Sequence, residues 1–261
     1  MPVMRLLAGA FAFVVTSGFS EAQSLCLLGP DLARDCALIR ERPVLDAASA
    51  PWRAIGRVNF ASTDIRQHCT GVLVADRLVL TAAHCLYNGA RKRWIPPSSI
   101  RFVAGYQKGE AQAVSQVSDY VTDPAQNVQS RDFAPTTIAD WAVLILKDPI
   151  GQQVGTLPLA DPNRPAAALN VAGYSGLRPH VLSRAGPCEP QAPRHLRAVA
   201  ILDCPIMQGD SGAPLLVEGS DGPEVVGILS KGRATPDGAR GVFLGSQTFE
   251  QGLQRARDQV P

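Results

Sequence analysis

Gly209-Asp210-Ser211-Gly212-Ala213-Pro214 decides how the rest of the chain reads. A serine hydroxyl is a weak nucleophile at neutral pH, so it attacks only if a neighbouring base takes its proton. The glycines beside Ser211 let backbone N–H groups approach a developing oxyanion. Gly209 and Ser211 are the expected donors, and such a donor is worth about 3–4 kcal/mol. Upstream, Thr81-Ala82-Ala83-His84-Cys85 supplies an imidazole, whose ordinary pKa of about 6.5 suits a proton shuttle. Asp140-Trp141-Ala142-Val143-Leu144 supplies a carboxylate at the start of an apolar run. A buried carboxylate fixes the imidazole tautomer and stabilises the imidazolium. His84, Asp140 and Ser211 are therefore the expected catalytic residues.

Taken together, and in the order His, Asp, Ser, these motifs resemble the trypsin/chymotrypsin family of serine peptidases. The resemblance runs from Pro51-Trp52 to the C-terminus. It implies two packed β-barrels with the site in the cleft between them. It also favours Asp140 over Asp132, because the family places an apolar strand directly after this carboxylate. By the same resemblance Cys69 pairs with Cys85, Ser230 contacts the Asp140 carboxylate, and Ser230, Lys231 and Gly232 bind substrate backbone as an added strand. Gly241, within Arg240-Gly241-Val242-Phe243, belongs to the strand closing the specificity pocket. Pro205 falls at the pocket base with Ile206 beside it, and Gln208 is a further substrate contact. No acid stands there, so a preference for Lys or Arg is not expected. A pocket walled by Gly232 and Gly241 favours uncharged side chains of medium or large size. The rival reading has Lys231 and Arg233 selecting acidic side chains.

Departures from the animal enzymes narrow the resemblance. Ala213 stands for the usual glycine, a small change that should be tolerated. Cys204-Pro205-Ile206-Met207-Gln208, Gly173-Tyr174-Ser175-Gly176 and the cysteines at 188 and 204 are similar to the bacterial branch near the glutamyl endopeptidases. That branch implies a Cys188–Cys204 bridge, which leaves Cys26 with Cys36. In relatives the residue at Asp210 pairs with a buried N-terminal ammonium after zymogen cleavage. Leu38-Ile39-Arg40-Glu41-Arg42 lies where that terminus would form, but Cys36 just upstream argues against a simple cut. Whether Asp210 finds an ammonium here is open from the sequence.

The bulk properties agree. The 261 residues are 46% hydrophobic and 18% charged, enough apolar content for a large core. Net charge is +2, which gives no electrostatic reason to expect nucleic acid. Residues 1–22 combine a basic start with the apolar run Leu6 to Val15 and small residues at cleavage-site spacing, and they read as a signal peptide. The run is about half the ~20 residues that span a bilayer, so no membrane association is expected after cleavage. Six cysteines in an oxidising compartment favour disulfides. No CxxC or HExxH spacing suggests a metal, and no cofactor is implied.

Residues 23–50 read as an N-terminal extension or pro-segment. Short apolar runs follow at 53–60, 71–74, 78–81, 100–106 and 141–146, then at 168–174, 180–183, 199–203, 214–217, 225–229 and 241–244. With 23 glycines and 21 prolines to turn the chain, they suggest an all-β fold. Two six-stranded antiparallel barrels are expected, over 51–155 with His84 and Asp140 and over 156–261 with Ser211. Phe249, Leu253 and Ala256 mark a helix over 248–259. The expected protein is a secreted or periplasmic, monomeric serine endopeptidase acting on protein or peptide substrates. An α/β-hydrolase esterase is disfavoured, since Ala213 breaks G-x-S-x-G and no histidine follows Ser211. The remaining alternative is a catalytically silent family member that binds proteins. His68 is expected at the cleft edge, and His180 and His195 in structural or exposed positions.

Overall fold

Strands that are apolar at every position need cover on both sides, and those with alternating polarity need it on one. Both kinds occur here, and both close into barrels. A computed structural model describes residues 32–61, 66–161, 168–190, 198–235 and 238–260. The expected signal segment 1–22, Cys26, His195 and the Arg233 side chain lie outside the described residues. The first barrel uses β1 (Ile55–Ala61), β2 (Arg66–Ala75) and β3 (Leu78–Thr81). After a small ribbon, β4 (Tyr87–Asn88) with β5 (Arg93–Trp94), come β6 (Ile100–Ala104), β7 (Ala113–Thr122) and β8 (Ala142–Leu146). These close in the order β1-β2-β3-β8-β7-β6. Every residue of β3 and β8 is buried, as their unbroken apolar runs require.

The second barrel comprises β9 (Leu169–Gly173), β10 (Ser183–Pro190), β11 (Val199–Asp203), β12 (Pro214–Glu218), β13 (Pro223–Thr235) and β14 (Gly238–Gly245). It closes as β10-β11-β14-β13-β12-β9, all antiparallel. A Cys188–Cys204 disulfide ties β10 to the residue after β11. Among the described residues three α-helices accompany the barrels: α1 (Leu32–Arg40), α2 (Gly151–Val154) and α3 (Glu250–Asp258). Phe249, Leu253 and Ala256 are the buried stripe of the C-terminal helix. It lies on β7 and β8 of the first barrel, with Gly252 directly against the Trp141 ring.

Three features differ from the sequence reading. Residues 180–182 are not strand: Val181 N–H closes a turn onto Arg178 O, and β10 begins only at Ser183, opposite Gly173. The ten-residue β7 carries no apolar alternation in the sequence, because its inward positions include Ser115 and are separated by Gln116, Ser118 and Asp119, of which the last two are exposed. The segment read as a weakly periodic extension contains α1, and residues 43–45 run on to pair with the second barrel.

Candidate active site

The cleft between the barrels draws its side chains both from turns at strand ends and from strand interiors. After β3 the chain turns through a 3₁₀ segment, Ala83–Leu86, which carries His84. Its neighbour Cys85 is bonded to Cys69 of β2, anchoring that turn to the barrel wall. Asp140 ends another 3₁₀ turn (Thr137–Ala139) just before β8 and is 6% exposed. Its carboxylate accepts three hydrogen bonds. The His84 backbone N–H reaches Oδ1 at 2.8 Å, His84 Nδ1 reaches Oδ2 at 2.9 Å, and Ser230 Oγ donates to Oδ2 at 2.6 Å. Nδ1 therefore holds its proton toward the carboxylate, and Nε2 is left as the basic nitrogen. Ser230 reaches Asp140 because β13 bulges: Leu229 faces Phe243 and Lys231 faces Val242, so Ser230 is the extra residue. A bulge re-aims one side chain in this way.

Ser211 stands across the same cleft. Its carbonyl accepts Thr70 N–H at 2.9 Å and lies 3.9 Å from Cys85 Sγ, itself 3.9 Å from His84 Nε2. Among the described residues no hydrogen bond joins Ser211 Oγ to His84 Nε2. Such contacts are commonly loose in the absence of substrate and tighten when it binds. Donor accounting in this loop is informative. The N–H groups of Met207, Asp210, Gly212 and Ala213 are bonded to Asp210 Oδ2, Met207 O, Leu229 O and Asp210 O. Those of Gln208, Gly209 and Ser211 have no acceptor among the described residues, and of these only Gln208 is an exposed residue. Gly209 is also walled in, since a methyl group there would come 2.4 Å from Tyr174 O and 2.8 Å from His68 Nε2.

Cys69, His84 and Cys85 bring ligand atoms within 4.8 Å of one another. The two sulfurs are bonded to each other, so neither offers a thiolate to a metal.

A family model described as Trypsin matches residues 44–179, just over half of the chain. The chain belongs to the trypsin family. It is a serine endopeptidase by that membership, with solved structures of the same architecture. A Glu endopeptidase in complex with MPD is 19% identical with a TM-score of 0.65, covering 84% of this chain and 97% of its own. AL20, a thermostable serine protease from an extremophilic microorganism, is 21% identical with a TM-score of 0.61, over 80% of this chain and 98% of its own. Protease Anisep from Arthrobacter nicotinovorans is 20% identical with a TM-score of 0.59, over 80% and 97%. No curated protein matches.

Gly232 and Gly241, expected at the substrate pocket, face each other across β13 and β14. Gly241 is buried, and the Phe243 ring fills the space its side chain would take. Lys231, Gly232 and Gln208 are exposed. Pro205 turns its carbonyl away to accept from the Arg42 guanidinium. The nearest acid on β11, Asp203, pairs with Arg240 at 2.9 Å. His180 is exposed and its Nδ1 meets Tyr106 OH at 2.6 Å.

Sequence motifs alone missed two residues. Thr70 of β2 donates through Oγ1 to Gly209 O at 2.9 Å and accepts Tyr174 N–H at 3.1 Å, so it joins both barrels to the loop. A threonine on a strand carries no motif, and only the register of β2 against the Ser211 loop could reveal it. Arg42 closes the run Leu38-Ile39-Arg40-Glu41-Arg42, and nothing in that run marks its side chain. That guanidinium is 1% exposed and makes a two-pronged pair with Asp210.

His68 sits against Gly209 and contacts Tyr174 O through Nε2 at 2.8 Å. Burial, then the charge of Arg57, depress its pKa below the ordinary value of about 6.5. The folded state therefore resists protonating His68 while the unfolded chain takes the proton. Stability from this site is fully present above about pH 6.5 and declines as pH falls from there toward the depressed value. His68→Gln keeps a donor for Tyr174 O without the titration. Melting temperatures between pH 7 and 5 should fall less steeply in that variant than in wild type; parallel curves would remove His68 from the acid limb.

Proposed function

We propose that this trypsin-family chain is an exported, monomeric endopeptidase that cleaves peptide bonds through an acyl-enzyme on Ser211. Ser211 Oγ attacks the scissile carbonyl carbon as His84 Nε2 takes its proton. The new oxyanion receives the N–H groups of Gly209 and Ser211, and Asp140 stabilises the imidazolium. On collapse the C–N bond breaks and His84 gives its proton to the leaving amine. Water then adds to the ester by the reverse route and releases the acid and Ser211. The observation that carries this reading is the pair of Gly209 and Ser211 N–H groups without acceptors, in a loop where Met207, Asp210, Gly212 and Ala213 all have theirs satisfied and exposed Gln208 is left to solvent. Two disulfides and the apolar leader support export, and no described helix is long and apolar enough to cross a membrane.

The pocket floored by Pro205 and walled by Gly232 and Gly241 takes uncharged side chains of medium or large size. Exposed Lys231 beside Gly232 favours a second reading, in which acidic side chains are selected; one structural neighbour is itself a Glu endopeptidase. A peptide library read for the residue before the cleaved bond separates the two. Activity itself is tested by a fluorophosphonate probe, with the adduct located by mass spectrometry. Folded protein should carry it on Ser211 and heat-unfolded protein should not. No adduct on folded protein would favour the silent, protein-binding alternative.

A further inference from the structure

We infer that Arg42 is a positioning residue for the oxyanion loop, supplying from within the chain the cation that a cleaved N-terminus would otherwise provide. The intact chain is then competent as folded. The inference rests on the serine-peptidase reading above and concerns how that site is held in shape.

Asp210 is fully buried and adjoins Ser211. A carboxylate removed from water needs a cation and hydrogen-bond donors to stay charged. Arg42 meets it with two parallel bonds, Nη1 to Oδ1 at 3.0 Å and Nη2 to Oδ2 at 2.8 Å. The same guanidinium donates from Nε to Pro205 O at 2.9 Å, and Nη2 contacts that carbonyl as well. It thus ties residue 205 to residue 210. Within this span Asp210 Oδ2 also accepts Met207 N–H at 2.9 Å, closing the turn that presents Gly209 and Ser211. The planar fork suits this task, because it fixes a carboxylate in both distance and orientation.

No room is left for an incoming ammonium. Both carboxylate oxygens are engaged, and even a methyl group on Gly173 would stand 2.7 Å from Asp210 Oδ1. The segment bearing Arg42 is also tied down on both sides. Upstream, Ile39 is 1% exposed and packs with Met207 and Leu177, and Cys36 is disulfide-bonded. Downstream, Arg184 N–H reaches Pro43 O at 2.9 Å, Val44 bridges Ser183, and Leu45 N–H reaches Leu182 O at 3.0 Å. Arg178 Nη1 holds the Arg42 carbonyl at 2.5 Å. Residues 39–45 are a built-in strap on the second barrel, with its cation locked under the nucleophile loop.

The test uses the chain without its leader, reacted with a fluorophosphonate and reduced before intact-mass measurement, because a disulfide at Cys36 would retain a cut piece. The expected result is an adduct on chains still continuous through residues 32–45. An adduct found only on chains cut within that segment overturns the inference and leaves the peptidase reading standing. Absence of adduct on cut and uncut chains alike overturns that reading and the inference with it. Arg42→Met should lower kcat about 100-fold, the scale of losing one oxyanion donor, with KM little changed. Arg42→Lys should recover part of it, since an ammonium can still meet one oxygen. A folded Arg42→Met enzyme with wild-type kcat would overturn the inference. If that variant does not fold, the uncut-adduct measurement decides alone, since it needs no substitution.

Discussion

His84→Ala should lower kcat by about 10⁶-fold and Asp140→Asn by about 10⁴-fold, the magnitudes found for the same changes in serine peptidases built on this triad. The second figure has a specific cause here. Asp140 accepts the His84 backbone N–H on Oδ1 and His84 Nδ1 and Ser230 Oγ on Oδ2. An asparagine can keep its oxygen toward the backbone N–H only by turning its NH₂ toward Nδ1 and Ser230. Ser230 can rotate to accept that amide, but Nδ1 must then lose its proton. The proton moves to Nε2, and the imidazole can no longer take one from Ser211. The opposite amide orientation sets NH₂ against the His84 N–H, a buried clash of donors. Burst kinetics on an activated ester and steady-state rates on a peptide amide would measure both losses. An Asp140→Asn enzyme within tenfold of wild type would mean that some other group orients His84.

Legibility in the sequence followed the physics of each part. His84 and Asp140 were readable because each sits in a turn against an apolar strand, His84 after β3 and Asp140 before β8, and those turns bear short, unusual strings. The completely buried strands β3 and β8 showed as unbroken apolar runs. By contrast, β7 buries Ser115 and exposes Val114, so polarity is a poor guide to its faces. The strap was hidden for a different reason. Its work is done by Arg42, and a buried arginine looks like a surface one until its carboxylate is located 168 residues away. Thr70 is the same kind of case. Its two bonds join segments more than a hundred residues distant in the chain, and no local pattern reports them. Ser230 lies between these extremes, since its pairing with Asp140 depends on a bulge that strand periodicity does not announce.

Gly212→Ala should remove most of the protein's stability, although it adds one methyl group. Gly212 adopts φ +78°, a conformation that costs an L-residue about 1–2 kcal/mol. The larger cost is steric. The methyl would lie 2.2 Å from Thr81 Oγ1, 2.4 Å from Thr70 O and 2.8 Å from Ala82 N. The last two are backbone atoms of the first barrel, and Thr81 Oγ1 is already bonded to Thr70 O at 2.8 Å, so nothing there yields cheaply. Gly212 cannot retreat either, because its own N–H is held by Leu229 O of the second barrel at 2.7 Å and the Ser211 carbonyl by Thr70 N–H at 2.9 Å. The two barrels meet through a point where only a hydrogen fits. Overpacking costs about 1–3 kcal/mol even where a core can adjust. Against a total stability of about 5–15 kcal/mol, strain and a rigid backbone clash together remove most of the margin. Gly155 is the control: its φ is +81° but nothing lies within 4 Å of an added methyl. Gly155→Ala should therefore lose only the strain, a fall in Tm of a few degrees. Soluble yield and thermal melts of the two variants check this. A Gly212→Ala protein melting as close to wild type as Gly155→Ala would show that the barrels can part at this contact, and the site would then be held by the Arg42 strap and Thr70 alone.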